Sequence, residues 1–231
     1  MLNPEEKILK EVPDFCNREE ALKWIDKGIK LVEKLTPEMV KEAPIASLEW
    51  EEEGKDNLLG YYASLKWRKI VLATFLADLV SYQPSDQVNF DRLLYVMHVF
   101  PKGFRTWWMQ LPDQSWWPVG YTGWYPMLET AFDLFEKHPE KLKDRMVVPR
   151  SSSSYLYLFN YSVAPHLKKT ALSSQLIKAY IGDISNQQVK GLACITVSED
   201  GVRMAHSLGM ARRGDLVMDG NIEGIFTKRD G

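Results

Sequence analysis

The chain has 231 residues, 45% of them hydrophobic and 26% charged, a size and balance that allow one large or two small globular domains with a sizeable core. Its 29 basic and 31 acidic side chains leave a formal charge of -2, so no global field recruits nucleic acid or an anionic membrane, and any anion site must be local. Cys16 and Cys194 stand far apart, which argues against a disulfide framework and for a reducing compartment.

The first segment, MLNPEEKILKEVPDF, lacks the apolar stretch of a secretory signal. The longest apolar run, about 70–82, is broken by Asp78 and follows Lys66, Arg68 and Lys69, too short and too charged to span a bilayer. Together these predict a cytoplasmic protein without a membrane partner. In NREEALKWIDKGIKLVEKL, Asn17 with Glu20 reads as a capping signature. Ala21, Leu22, Ile25, Ile29, Val32 and Leu35 then recur at helical spacing. Thr36-Pro37 starts a short helix that Pro44 closes. LEWEEEGKDN reads as a charged connector, and about 57–82 as a buried helix, apolar over a wide face. Residues 86–100 form a further helix, ended by Pro101-Lys102-Gly103.

The character then changes. FRTWWMQLPDQSWWPVGYTGWYPM is aromatic and predicts two strands around the turn Pro112–Ser115. LETAFDLFEKHPEKL predicts a short helix, RSSSS a loop, and SYLYLFNYSV a strand. A helix over about 170–183 follows, then the strand GLACITVS, the helix DGVRMAHSLG, and two strands around Asp219-Gly220-Asn221. This order predicts a mixed, substantially antiparallel sheet with helices on its faces.

Between strand and helix in NYSVAPHLKKTALSSQLIKAY lies a polar, cationic connector. A helix starting directly after a strand presents unpaired N–H groups and a positive dipole end, a ready site for phosphate. Lys168 and Lys169 add charge there, Thr170, Ser173 and Ser174 add hydroxyls, and Ala171 is small. A solvated surface loop is the competing reading of the same residues.

These features resemble the GNAT superfamily of N-acetyltransferases. Val163-Ala164-Pro165 matches the family's strand end, and Lys168 stands where arginine or glutamine is usual. Ala171 and Ser173 stand at the two glycine places, and Leu176 at an apolar helix position. ITVSEDGVRMAHSLGMARRGDLVMDG resembles the closing element, with Leu208-Gly209-Met210 in the expected place. The resemblance spans roughly residues 103–231. It implies an α+β fold: a GNAT-like mixed, mostly antiparallel sheet flanked by helices. Residues 1–102 would form an all-helical N-terminal region that replaces the family's first strand and helices and shapes the acceptor pocket.

The resemblance further implies that acetyl-CoA or another acyl-CoA is the cosubstrate. Tyr161, Ser162 and Val163 would form the strand edge for the pantetheine arm. Lys168, Lys169, Thr170, Ala171, Leu172, Ser173 and Ser174 would hold the pyrophosphate. The partner implied is an amine-bearing small molecule or peptide, with a homodimer allowed. Two positions depart from the family: the glycine places hold side chains, and Ala205 stands where many members have a proton-donating tyrosine.

Transfer to an amine needs a polarised thioester and a proton for the departing sulfur. Three groups are candidates. His206 neighbours the vacant tyrosine place and is a residue type that serves in proton transfer, though it also reads as a helix-surface histidine. Ser198 could donate, but it equally reads as the N-cap of the next helix. Tyr161 could face a cleft or the core. Cys194 reads as a buried structural thiol, and His98 and His166 have no partner at metal-ligand spacing. Among the aromatic strands, Trp108, Trp117, Trp124 and Tyr125 either cement the molecule or wall the acceptor site. Glu129 and Asp133 could bind a cationic acceptor or stand as ordinary exposed carboxylates. The activity implied is N-acyl transfer in a ternary complex, with a non-catalytic CoA-binding, sensing or interaction module as the alternative.

Overall fold

The computed structural model describes residues 3–49, 64–142, 147–218 and 221–229. In chain order the elements are α1 (Pro4–Glu11), α2 (Arg18–Val32), α3 (Pro37–Glu42), β1 (Ile45–Glu49), α4 (Leu65–Ser81) and α5 (Phe90–Val99). Then come β2 (Phe104–Gln110), β3 (Trp116–Met127), α6 (Glu129–Lys137), β4 (Tyr155–Val163) and α7 (Ala171–Ser185). The last are β5 (Gly191–Thr196), α8 (Glu199–Ser207), β6 (Ala211–Met218) and β7 (Asn221–Arg229). Short 3-10 turns occupy Pro101–Gly103, Pro139–Lys141 and Pro165–Leu167. Most of the connector LEWEEEGKDN, the start of the 57–82 segment and the tip Asp219-Gly220 lie outside the described residues. No helix among the described residues is long and apolar enough to cross a membrane.

The strands form one seven-stranded sheet in the order β1-β2-β3-β4-β5-β7-β6. β4 and β5 run parallel, whereas β1–β2, β5–β7 and β6–β7 are antiparallel. The fold is therefore α+β with a mixed, mostly antiparallel sheet flanked by helices.

One expectation is corrected. The N-terminal stretch is not all helical, because Ile45–Glu49 is a strand paired with β2 from Ile45↔Met109 to Glu49↔Arg105. Five residues between a proline and a charged run carry too little pattern to be read as a strand; pairing with β2 makes them one. β1, α4 and α5 thus precede β2 as strand, helix, helix.

The chain divides into two compact units, Met1–Thr122 with Ser162–Tyr180, and Gly123–Tyr161 with Ile181–Gly231. In the first unit α4 is buried on nearly every side, through Trp67, Ile70, Val71, Leu72, Leu76 and Ala77, as an all-round apolar helix must be. Its polar groups are each matched. Thr74 Oγ1 lies 2.7 Å from Thr106 Oγ1, and Asp78 accepts from Tyr121 Oη and Val88 N, both at 2.8 Å. Gly28 lets α2 approach closely, since a Cβ there would meet Leu76 Cδ2 at 2.4 Å and Trp117 at 2.9 Å.

In the second unit β7 lies between β5 and β6, and Phe132 and Phe135 of α6 are buried with Tyr155 and Tyr157. Arg229 closes this unit. It donates to Asp133 Oδ1 at 2.7 Å and Glu136 Oε2 at 3.0 Å, and stacks over the Phe132 ring.

Candidate active site

β4 is where the sheet opens. Its parallel pairing with β5 runs Tyr155↔Gly191, Leu156↔Leu192, Tyr157↔Ala193, and ends there. β5 nevertheless stays in register with β7 as far as Thr196↔Gly224, and β4 continues to Val163. The departing residues Phe159, Asn160 and Tyr161 are the half-buried part of an otherwise buried strand. A strand that leaves its neighbour opens a place beside it where an extended ligand can lie.

In the first unit the end of β4 is held against β3. Ala164 N donates to Val119 O at 2.9 Å, and Ser162 Oγ to Tyr121 O at 3.5 Å. Gly120 makes this approach possible, because a Cβ there would stand 2.4 Å from Ser162 O and 3.0 Å from Val163 Cα. Ser162 and Val163 are buried. A glycine within an aromatic strand is the signal that could have marked the place.

The connector then turns through Pro165–Leu167 into α7. Lys168 and Lys169 are exposed, and Lys169 sits at φ 63°, in the left-handed region. The change of backbone hand that glycines would supply is thus carried by a lysine two residues before the helix start. Ala171 and Ser174 are exposed, whereas Leu172 and Ser173 face the core. The hydroxyls are turned inward: Thr170 Oγ1 donates to Leu167 O at 2.7 Å, Ser173 Oγ to Thr170 O at 2.9 Å, and Ser174 Oγ to the same carbonyl at 3.4 Å. An anion at this corner would meet first-turn backbone amides and lysine charge, with the hydroxyl protons already committed. His166 Nε2 is buried there with no hydrogen-bond partner among the described residues. A buried polar atom of this kind points to a ligand or water that completes it.

The three proton-transfer candidates all lie in the second unit. Tyr161 is held protonated: burial, then the nearby Asp200 carboxylate, push its phenol up to about 12. Ser198 caps α8, accepting from Gly201 N at 3.2 Å. His206 is exposed on α8, edge-on to Phe226 with ring centres 5.3 Å apart. Ala205, at the vacant tyrosine place, is buried. Cys194 is buried and its thiol is pushed up to about 12, which keeps it an unreactive thiol at neutral pH. Asp200 is a residue the sequence reading missed as a partner of Tyr161, since nothing in the chain order links the two.

Trp108, Trp117, Trp124 and Tyr125 are all buried. Trp117 stacks on Trp24 at 5.3 Å and donates to Ser115 Oγ at 3.0 Å, so it cements α2 to β3. Tyr125 donates to Val147 O at 3.1 Å. The indole N–H groups of Trp107, Trp108 and Trp116 are buried without an acceptor among the described residues. Glu129 and Asp133 are engaged inside the protein. Tyr155 Oη donates to Glu129 at 2.6 Å, and Arg229 occupies Asp133.

No protein-family model matches the sequence, and no curated protein matches it. Solved structures do match in shape. The loading GNATL domain of CurA from Lyngbya majuscula aligns with a TM-score of 0.51 at 10% identity, over 80% of this chain and 98% of that one. The GNAT-like decarboxylase GphF in complex with isobutyryl-CoA aligns with a TM-score of 0.50 at 11% identity, again over 80% and 98%. An overlap of 80% is more than residues 103–231 could supply, so it reaches back into the stretch that holds β1, α4 and α5. With the strand order and the opening of β4 from β5, these likenesses establish that the chain adopts the GNAT fold.

Proposed function

We propose that the protein binds an acyl-CoA along β4 and at the start of α7, and transfers the acyl group, acetyl in the simplest case, to an amine in a ternary complex. The observation that carries this reading is the end of β4–β5 pairing at Tyr157 on a strand that leads directly into a cationic helix start. The orphaned His166 Nε2 supports it.

The residues present fit the cosubstrate. Backbone groups of Tyr161, Ser162 and Val163 follow the amide-bearing arm as a neighbouring strand would. The first-turn amides of α7, with Lys168 and Lys169, hold the diphosphate. CoA supplies the activated thioester; the chain supplies orientation, charge and hydrogen bonds. A backbone N–H of the departing β4 polarises the thioester carbonyl, and this requires no side chain.

The proton lost by the acceptor nitrogen ends on the departing sulfur. An ordinary thiol ionises at about 8.5, so full transfer to it from a phenol held near 12 is steeply uphill. Tyr161 therefore serves as a hydrogen-bond donor to sulfur rather than as the proton source.

Titration calorimetry with acetyl-CoA, followed by thiol release with a panel of amines, tests this reading. Saturable 1:1 binding and amine-dependent thiol release are the expected results. Binding without release for any amine would leave a CoA-binding module, and no binding would end the proposal.

A further inference from the structure

A cavity of about 520 Å³ opens between α3 and the β2–β3 turn, wholly within the first unit, a size that suits a small molecule. Met39, Pro44, Leu111 and Pro112 give it an apolar lining over the buried Met109. Both of its walls are fixed. Ala43 N donates to Met39 O at the end of α3, and Gln110 N to Pro44 O, both at 3.0 Å. In the turn, Leu111 N donates to Ser115 O at 2.8 Å and Gln114 N to Leu111 O at 2.9 Å. Asp113 is committed inside the same turn, accepting from Ser115 N at 3.0 Å and Ser115 Oγ at 2.6 Å.

The polar part of the lining has acceptors in excess. Gln110 Nε2 donates to Gln114 O at 3.1 Å and to Gln114 Oε1 at 3.2 Å. Both its hydrogens are thus in use, and Gln110 Oε1 has no donor among the described residues. The Glu42 carboxylate is exposed, and it too has no partner among the described residues. Glu42 is the one charged residue of the lining, since neighbouring Lys41 does not reach it.

We propose that this cavity is a second ligand site, for a small aromatic ammonium ion. The ring packs against the Met39 thioether and the two prolines, as sulfur–aromatic contacts favour. The nitrogen donates to Glu42 and to Gln110 Oε1, which a donor-only cation satisfies and an anion or a neutral acceptor does not. The carboxylate holds that nitrogen protonated, without the lone pair that acyl transfer would need, so the ligand is retained rather than acylated. None of the lining residues lies on β4 or α7. The site is therefore separate from the surface proposed for acyl-CoA and does not depend on it.

NMR of the full chain with labelled methionine methyl groups tests the proposal, with phenethylamine as the probe and Met39→Leu to assign the Met39 signal. That signal should shift saturably, with a dissociation constant of about 1 mM or tighter. The alcohol 2-phenylethanol, the same ring without the charge, should bind about tenfold more weakly or worse, and ethylamine should leave the signal in place. Glu42→Gln should weaken phenethylamine about tenfold, because a charge-assisted contact becomes a neutral one. Its circular dichroism should match the parent's, as Glu42 is exposed. A Met39 signal unmoved at about 10 mM phenethylamine, an alcohol or ethylamine that binds as well as the probe, or a Glu42→Gln variant that binds like the parent would each overturn it.

Discussion

Helix α8 starts on Ser198, whose hydroxyl accepts from Gly201 N, and carries Glu199 and Asp200 in its first turn. Helix α7 starts behind Lys168 and Lys169, has no acidic residue in its first turn, and its Thr170, Ser173 and Ser174 hydroxyls donate to carbonyls. The first helix satisfies its own orphan amides and offsets its own dipole. The second has no acidic residue in its first turn, and the lysines beside it add positive charge at the positive end of its dipole. Placed at the end of a strand that has left its neighbour, such a start is where the proposed acyl-CoA diphosphate would sit. The same kind of element is a self-capped structure in one place and the proposed binding surface in the other.

The comparison breaks most directly at the lysines. Lys168→Glu with Lys169→Glu should lower acetyl-CoA affinity about a hundredfold in calorimetry, since charge-assisted contacts are worth roughly 1.5–3 kcal/mol each. The far-ultraviolet dichroism should not change, because both side chains are exposed. An affinity equal to that of the parent would show that α7 is merely a poorly capped helix. The next largest effect lies under the binding surface. Gly120→Ala drives a methyl into Ser162 O and should cost about 2 kcal/mol in urea unfolding, as overpacking does. It should also weaken acetyl-CoA binding, because Ser162 and Val163 move with it. A variant as stable as the parent would mean that β3 and β4 can separate freely at this point.

At α8 the expected effect is smaller and of another kind. Ser198→Ala should cost about 1 kcal/mol of stability, the usual value of a cap, and leave acetyl-CoA affinity unchanged. A loss of turnover at unchanged stability would instead place Ser198 in the chemistry.

Much of this contrast could be read from residue order, and part of it could not. Periodicity and caps marked α2, α3, α5 and α8, because their signals lie within a few residues of one another: Asn17 accepts from Glu20 N, and Thr36 from Met39 N. Val163-Ala164-Pro165 and the two lysines marked the connector for the same reason. β1 was invisible, since its five residues are a strand only through β2. The direction of the connector hydroxyls was equally hidden. A serine or threonine near a helix start can turn to a ligand or to a carbonyl, and only the folded turn decides. Glu129 and Asp133 looked open to a cation because Arg229, which engages Asp133 and bridges through Tyr155 to Glu129, lies at the far end of the chain.

The smallest expected effect separates the backbone of the binding surface from its charge. Lys169 adopts φ 63°, a conformation that costs a side chain about 1–2 kcal/mol, while glycine adopts it freely but is more disordered in the unfolded chain by about 0.5–1 kcal/mol. Lys169→Gly should therefore stabilise the protein by about 0.5 kcal/mol in urea unfolding. The same substitution removes one cation from the start of α7 and should weaken acetyl-CoA about tenfold. Stability and affinity would move in opposite directions at one residue, as they should where a side chain is kept for its charge in a conformation that suits glycine. If both rise together, the turn binds through its backbone and the lysine charge is incidental. If both fall, Lys169 holds the turn itself, and its contribution to the anion site is indirect.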